Sequence, residues 1–176
     1  MGKWCKVFCS CENRRPLSAG KWPNYDSYRR NVGAPAKPRE FWENNIRNAF
    51  ECGHRSGIAY ETWPGDILRI GSALERAFKE NKTQFPIFRK LADFSYYDQE
   101  VLEITFEEVK DWAVEVGHLK DINAGRQHFP YHEQQRFFHA LNEDPFLYGD
   151  LAAALQECER LIDTCRRTGN GILFSL

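Results

Sequence analysis

Two pairs of metal-ligand side chains lie in the first third of the chain. Cys9 and Cys11 are separated by one residue, and Cys52 and His54 have the same spacing. Zinc in proteins takes four nitrogen or sulfur ligands in a tetrahedron, and two short pairs often supply them. One hypothesis is therefore a zinc site made by these four side chains. The competing interpretation is that the cysteines are packed in the interior, because tight zinc knuckles usually place two residues between paired cysteines.

The other three cysteines are predicted to be core residues. Cys5 alternates with Val7 on one face of a strand, about 13 Å from Cys9 at the usual rise of a strand. Cys158 and Cys165 are seven residues apart on an apolar helical stripe, about 10.5 Å along the axis, which is too far for one disulfide. No secretory signal precedes the cysteines, so we expect reduced thiols and a cytoplasmic protein.

Four of the five histidines lie within one region, at positions 118, 128, 132 and 139. His132 and Glu133 begin the metalloprotease motif H-E-x-x-H, but Arg136 stands where the second histidine belongs, so that motif is absent. An acid–base site using His132, Glu133 and Tyr131 is one interpretation, and surface histidines at a helix start are the other. Without a nucleophile or a metal beside them, the sequence favours a protein that is not an enzyme.

Charge is distributed unevenly along the chain. Residues 1–40 hold nine lysines and arginines against three acidic residues, a local charge of +6, whereas residues 41–176 hold fifteen against twenty-two, a local charge of −7. The basic segment 14–39 also contains Trp22, Tyr25 and Tyr28, and aromatic side chains beside cations are typical of nucleic-acid contacts. No nucleic-acid-binding fold signature accompanies them, so a solvated and partly packed loop is the favoured interpretation.

The elements predict a helix-dominated α+β fold in which 1–176 form a single domain. Trp4–Cys11 alternates like a strand, and the apolar end Ile172–Leu176 is expected to pair beside it in one small sheet. Glycines and prolines interrupt residues 12–37, which predicts a long, basic, surface-wrapping loop. One predicted helix is capped by Asp66, and another opens with a Thr105–Glu108 capping box and ends at Gly117. The closing helix carries the stripe of apolar residues 151, 154, 155, 158, 161, 162 and 165.

Two pieces of the second half resemble a known family. The strand and capped helix of residues 102–109, and the closing helix followed by Arg166-Arg167-Thr168-Gly169-Asn170-Gly171 and an apolar strand, are similar to the YfbM-like family of small bacterial cytosolic proteins. The resemblance covers less than half of the chain. It implies an α+β fold and a cytosolic setting. The family has no established activity, so the resemblance implies no functional residue.

The function that the sequence favours is a non-catalytic interaction or regulatory module, of which an immunity-type protein is one form. Its aromatic-rich loops and acidic body suit a basic protein partner, and neither a membrane nor a nucleic acid is the expected partner. One alternative is a small zinc-binding domain or enzyme using Cys9, Cys11, Cys52 and His54. A second alternative is nucleic-acid contact through the basic segment 14–39. The expectation for cofactors is none, apart from the zinc of the first alternative.

Overall fold

The structure is a computed structural model of the 176-residue chain. It describes residues 4–8, 15–16, 50–51, 58–79, 83–96, 101–126, 130–143 and 151–175. The strands are β1 (Trp4–Phe8), β2 (Arg15–Pro16), β3 (Phe50–Glu51), β4 (Ile58–Thr62), β5 (Val101–Ile104) and β6 (Ile172–Ser175). The helices are α1 (Gly65–Ala77), α2 (Pro86–Tyr96), α3 (Phe106–Asn123), α4 (Tyr131–Asn142) and α5 (Leu151–Thr168).

Four strands form an antiparallel sheet that includes both ends of the described chain. The strand order is β4-β1-β6-β5, so β1 and β6 lie side by side at its centre, with Cys5 opposite Phe174 and Val7 opposite Ile172. Side chains alternate across a strand, and the face that carries these four residues is fully buried. The predicted pairing of the first and last strands in one α+β sheet is confirmed.

The helices cover this buried face of the sheet. The closing helix α5 packs against β1 and β4 and against α3, while α1 contacts both α2 and α4. One continuous cluster of buried side chains joins the sheet to all five helices. Trp112 is a completely buried member of this cluster, with its ring in edge contact with Phe88 and Phe174 at centroid distances of 5.9 and 6.4 Å. Large aromatic groups therefore anchor the interior, as their number in the sequence indicates.

The ends of the helices follow the sequence predictions in part. Thr105 caps α3, since its hydroxyl accepts from the Glu108 amide while the Glu108 carboxylate accepts from the Thr105 amide, so the predicted capping box is confirmed. The prediction that this helix ends at Gly117 is wrong, because α3 continues to Asn123. Asp66 does not cap α1, which begins at Gly65, and its carboxylate pairs with Arg69 at 3.4 Å.

The second sheet has two short strands. β2 and β3 pair antiparallel, with Arg15 opposite Glu51 and Pro16 opposite Phe50. Arg15 and Pro16 are the described part of the predicted surface loop 12–37, and the remainder of that prediction lies outside the described residues. Among the described helices, none combines the length and the apolar character needed to cross a membrane.

Candidate binding cleft

The predicted zinc ligands all lie outside the described residues. Cys9, Cys11, Cys52 and His54 fall in the ranges 9–14 and 52–57, so the zinc hypothesis stays a prediction. Within the described ranges, no three histidine, cysteine or carboxylate side chains converge in a way that would hold a metal ion.

The three described cysteines are buried free thiols, as the sequence predicts. Burial raises the pKa of all three, most clearly for Cys5 and Cys158, and to about 12 for Cys165. The Cys5 Sγ atom lies 3.6 Å from the Thr62 carbonyl oxygen, which accepts its weak hydrogen bond. These thiols are therefore protonated at neutral pH, and a protonated thiol is a poor nucleophile and a poor metal ligand.

The described histidines are divided between two helices. His118 is on α3, whereas His132 and His139 are on α4, and His128 lies outside the described residues. His139 Nε2 is 3.1 Å from Glu143 Oε1, one helical turn away, and both side chains are exposed. His132 and Tyr131 are exposed in the first turn of α4, which fits the interpretation of surface histidines at a helix start.

A cleft lies between the start of α2 and the middle of α3. Its volume is about 400 Å³, within the range of small ligand sites. Residues 83–86 form one wall. Exposed Asp111, Val114 and His118 and buried Glu115, spaced three and four residues apart on α3, form the other. Val114 is 58% exposed, one of the largest exposures of an apolar side chain in the described part of the chain.

Glu115 connects the two walls of this cleft. Its side chain is almost entirely buried, at 5% exposure. Oε1 accepts from the Ile87 amide at 2.8 Å, and Oε2 accepts from the Phe88 amide at 3.0 Å. Both amides belong to the first turn of α2. Amides in the first turn of a helix have no acceptor within the helix, and the side chain just before the helix usually supplies one. Phe85 occupies that position and has no polar side chain, so a carboxylate from another helix performs the capping.

Three influences act on the pKa of Glu115, and they do not all act in the same direction. Burial disfavours the charged carboxylate and raises its pKa, the hydrogen bonds from Ile87 and Phe88 lower it, and the nearby charge of Asp111 raises it again. Burial dominates, and the pKa rises from 4.5 to about 7. Glu115 therefore exists in both protonation states near neutral pH, beside the exposed carboxylate of Asp111.

The segment before α2 is strained and leaves one acceptor without a donor. Phe85 has a φ of 54°, the left-handed region that bulky residues rarely adopt, while its ring is buried 5.3 Å from the ring of Phe78. The Oε1 atom of Gln84 is buried and accepts no hydrogen bond from the described part of the chain. Arg89 donates to the backbone carbonyl oxygens of Gln84 and Phe78, and the side-chain amide oxygen of Gln84 is not its acceptor. A buried acceptor without a donor is costly.

Sequence reasoning did not identify this cleft, although one signal was present. Trp112, Glu115 and Leu119 have the spacing of one helical face, and the first and last of them are buried in the core. A glutamate within a buried apolar stripe requires a hydrogen-bonding partner. That partner, the start of α2, is 27 residues away in the chain and cannot be identified from the local pattern.

A second and larger cavity, of about 560 Å³, lies between α3 and α5. Its charged side chains are paired across or along its walls: Lys120 Nζ is 2.5 Å from Glu159 Oε1, and Arg126 is 2.9 Å from the Asp121 carboxylate. Because the three basic and three acidic residues that line it balance in charge, this cavity favours no ligand of either sign.

Comparisons with known proteins identify no relative. The chain matches no protein-family model, no curated protein and no solved structure. The resemblance to the YfbM-like family therefore stays a prediction from the sequence.

Proposed function

We propose that the protein is a non-catalytic interaction module of the cytoplasm, regulatory or immunity-type, and that the cleft between α2 and α3 is its contact with a protein partner. The observation that carries the proposal is Val114. It presents an aliphatic side chain that is 58% exposed at the mouth of a cleft whose floor is a buried carboxylate. Binding pockets are lined mostly by apolar side chains, with a small number of polar groups that fix the orientation of the ligand.

The charge of the chain favours a basic partner. Residues 41–176 carry a local charge of −7, and both carboxylates at the cleft, Asp111 and Glu115, contribute to it. Charge complementarity raises the association rate and disfavours partners of the same sign.

The chemistry of the described groups supports binding rather than catalysis. Cys5, Cys158 and Cys165 are buried thiols with raised pKa values, so they are protonated and enclosed. Both oxygens of Glu115 accept backbone hydrogen bonds that hold the start of α2. Glu115 therefore maintains the fold at the cleft wall. The free thiols also support a reducing compartment.

We expect Val114→Arg to weaken the complex with the partner by about tenfold or more, because it places a large cation where a basic partner would dock. The measurement has two steps. The tagged wild-type chain is purified from the cells that encode it, and a stoichiometric partner is identified and produced separately. Titration of the purified partner into wild-type and variant chains by calorimetry then gives both affinities.

Gln156→Arg provides the matched control, since it adds the same charge at an exposed position of α5 and is expected to leave the affinity unchanged. Circular dichroism of both variants checks that the fold is retained. The proposal fails if the chain purifies without a stoichiometric partner, or if the two variants bind the purified partner as tightly as the wild type.

A further inference from the structure

We propose that the cleft binds the guanidinium group of an arginine side chain presented by a basic segment of the protein partner. This inference rests on the proposed function and specifies the ligand chemistry of the same cleft. It depends on three properties of the described residues: the acceptors on one cleft wall, the aliphatic surface at its mouth, and the sign of its charge.

The acceptors lie on one face of α3. Each oxygen of Glu115 accepts one backbone hydrogen bond, at 2.8 and 3.0 Å, and a carboxylate oxygen can accept two. Gln84 lies on the opposite wall, but its Oε1 atom is enclosed by the protein and offers no acceptor to a ligand in the cleft. Asp111 adds an exposed carboxylate one turn before Glu115 on the same face of α3. When ionised, the carboxylates of Asp111 and Glu115 can only accept hydrogen bonds, so they favour a ligand that brings donors.

The mouth of the cleft suits a long aliphatic stem. Val114 is 58% exposed, and Pro86 on the opposite wall is also exposed. Arginine and lysine pack their methylene groups along apolar surface while the charged end reaches polar partners. A side chain that entered between Val114 and Pro86 would cover both and extend its charged end toward Glu115.

Arginine fits these acceptors better than lysine does. Its planar guanidinium has five N–H donors in a fixed fork, which can contact several acceptors at once, whereas the lysine ammonium is a compact and strongly hydrated charge. Anionic ligands are disfavoured, since the formally charged lining groups are the carboxylates of Asp111 and Glu115, with His118 beside them.

The test uses a blocked tripeptide, acetyl-Ala-Arg-Ala-amide, titrated into the ¹⁵N-labelled full chain while backbone amide shifts are followed. The matched control peptide replaces arginine with citrulline, which has nearly the same shape and no charge. We expect saturable shifts at Ile87, Phe88 and Val114, with a dissociation constant of about 1 mM, and binding of the citrulline peptide weaker by about tenfold. A lysine peptide is expected to bind with intermediate affinity.

Two substitutions locate the binding. Asp111→Asn removes an exposed charge and is expected to weaken the arginine peptide about threefold, and Val114→Arg, which places a cation at the mouth of the cleft, is expected to weaken it by at least as much. The inference is overturned if the arginine and citrulline peptides bind equally, or if the shifts avoid the cleft and neither substitution changes them. If Val114→Arg abolished binding of the partner while the arginine and citrulline peptides bound equally, the proposed function would stand and arginine would be excluded as the ligand of the cleft.

Discussion

Replacing Glu115 with alanine is expected to lower the free energy of unfolding by about 2 to 6 kcal/mol at pH 5, because the buried amides of Ile87 and Phe88 lose their acceptor. An unsatisfied buried amide costs about 1 to 3 kcal/mol, and two of them are affected. Phe85, at the N-terminal end of α2, has a strained backbone and an apolar side chain, so it cannot supply a replacement acceptor. Urea denaturation of the two proteins at constant temperature measures the difference.

The size of this effect depends on pH. The pKa of Glu115 is raised to about 7 in the folded protein, from 4.5. Between those values the folded state holds a proton that the unfolded state has lost, so the wild-type protein loses stability as pH rises from about 4.5 to about 7. The contribution of this group falls by as much as about 3 kcal/mol over that interval. The alanine variant lacks the group, so the destabilisation caused by the substitution should be smaller at pH 8 than at pH 5.

Two further variants distinguish capping from charge. Glu115→Gln keeps an acceptor and removes the ionisation, so its stability should vary less with pH than that of the wild type across the same interval. Glu107→Ala removes an exposed carboxylate from the first turn of the same helix and is expected to change stability by less than about 1 kcal/mol. Identical pH profiles for the wild type and Glu115→Gln would contradict the assignment of the raised pKa.

The contrast between Thr105 and Glu115 shows how much of the structure could be predicted from the sequence. The capping box depends on residues three positions apart, so the hydroxyl and the carboxylate that form it are visible in the local pattern. Glu115 performs the same task for α2 from another helix, and no local rule relates it to Ile87 and Phe88. The fold class and the central strand pair were accessible because they follow from periodicity. The cleft depends on tertiary contacts, so it could not be predicted from the sequence.

Gly117 shows why helix ends are harder to predict than helices. A glycine is a common helix terminator, yet a glycine inside a helix costs only about 1 kcal/mol relative to alanine. Leu119 and Ile122, which follow it, are buried on the apolar face of α3 and contribute more than that when they pack in the core. Tertiary packing therefore carries the helix past a local signal to stop.

The start of α2 also depends on how closely α1 approaches it, and Gly71 permits that approach. A Cβ atom at Gly71 would lie 2.5 Å from the Phe88 carbonyl oxygen and 3.2 Å from the Ala92 amide nitrogen, both backbone atoms of α2. Alanine favours a helix over glycine by about 1 kcal/mol, but forcing two packed backbones apart costs more. We expect Gly71→Ala to lower the free energy of unfolding by about 2 kcal/mol, as measured by urea denaturation.

Gly117→Ala is the matched control, since it makes the same substitution in the interior of α3. A Cβ atom there meets nothing within 4 Å, so the gain in helix propensity should appear without a steric cost. This variant is expected to be more stable than the wild type by about 0.5 to 1 kcal/mol. Opposite signs for the two substitutions would show that the approach of α1, together with the capping by Glu115, sets the position of the cleft wall. If Gly71→Ala were also stabilising, the contact between α1 and α2 would be looser than the structure has it.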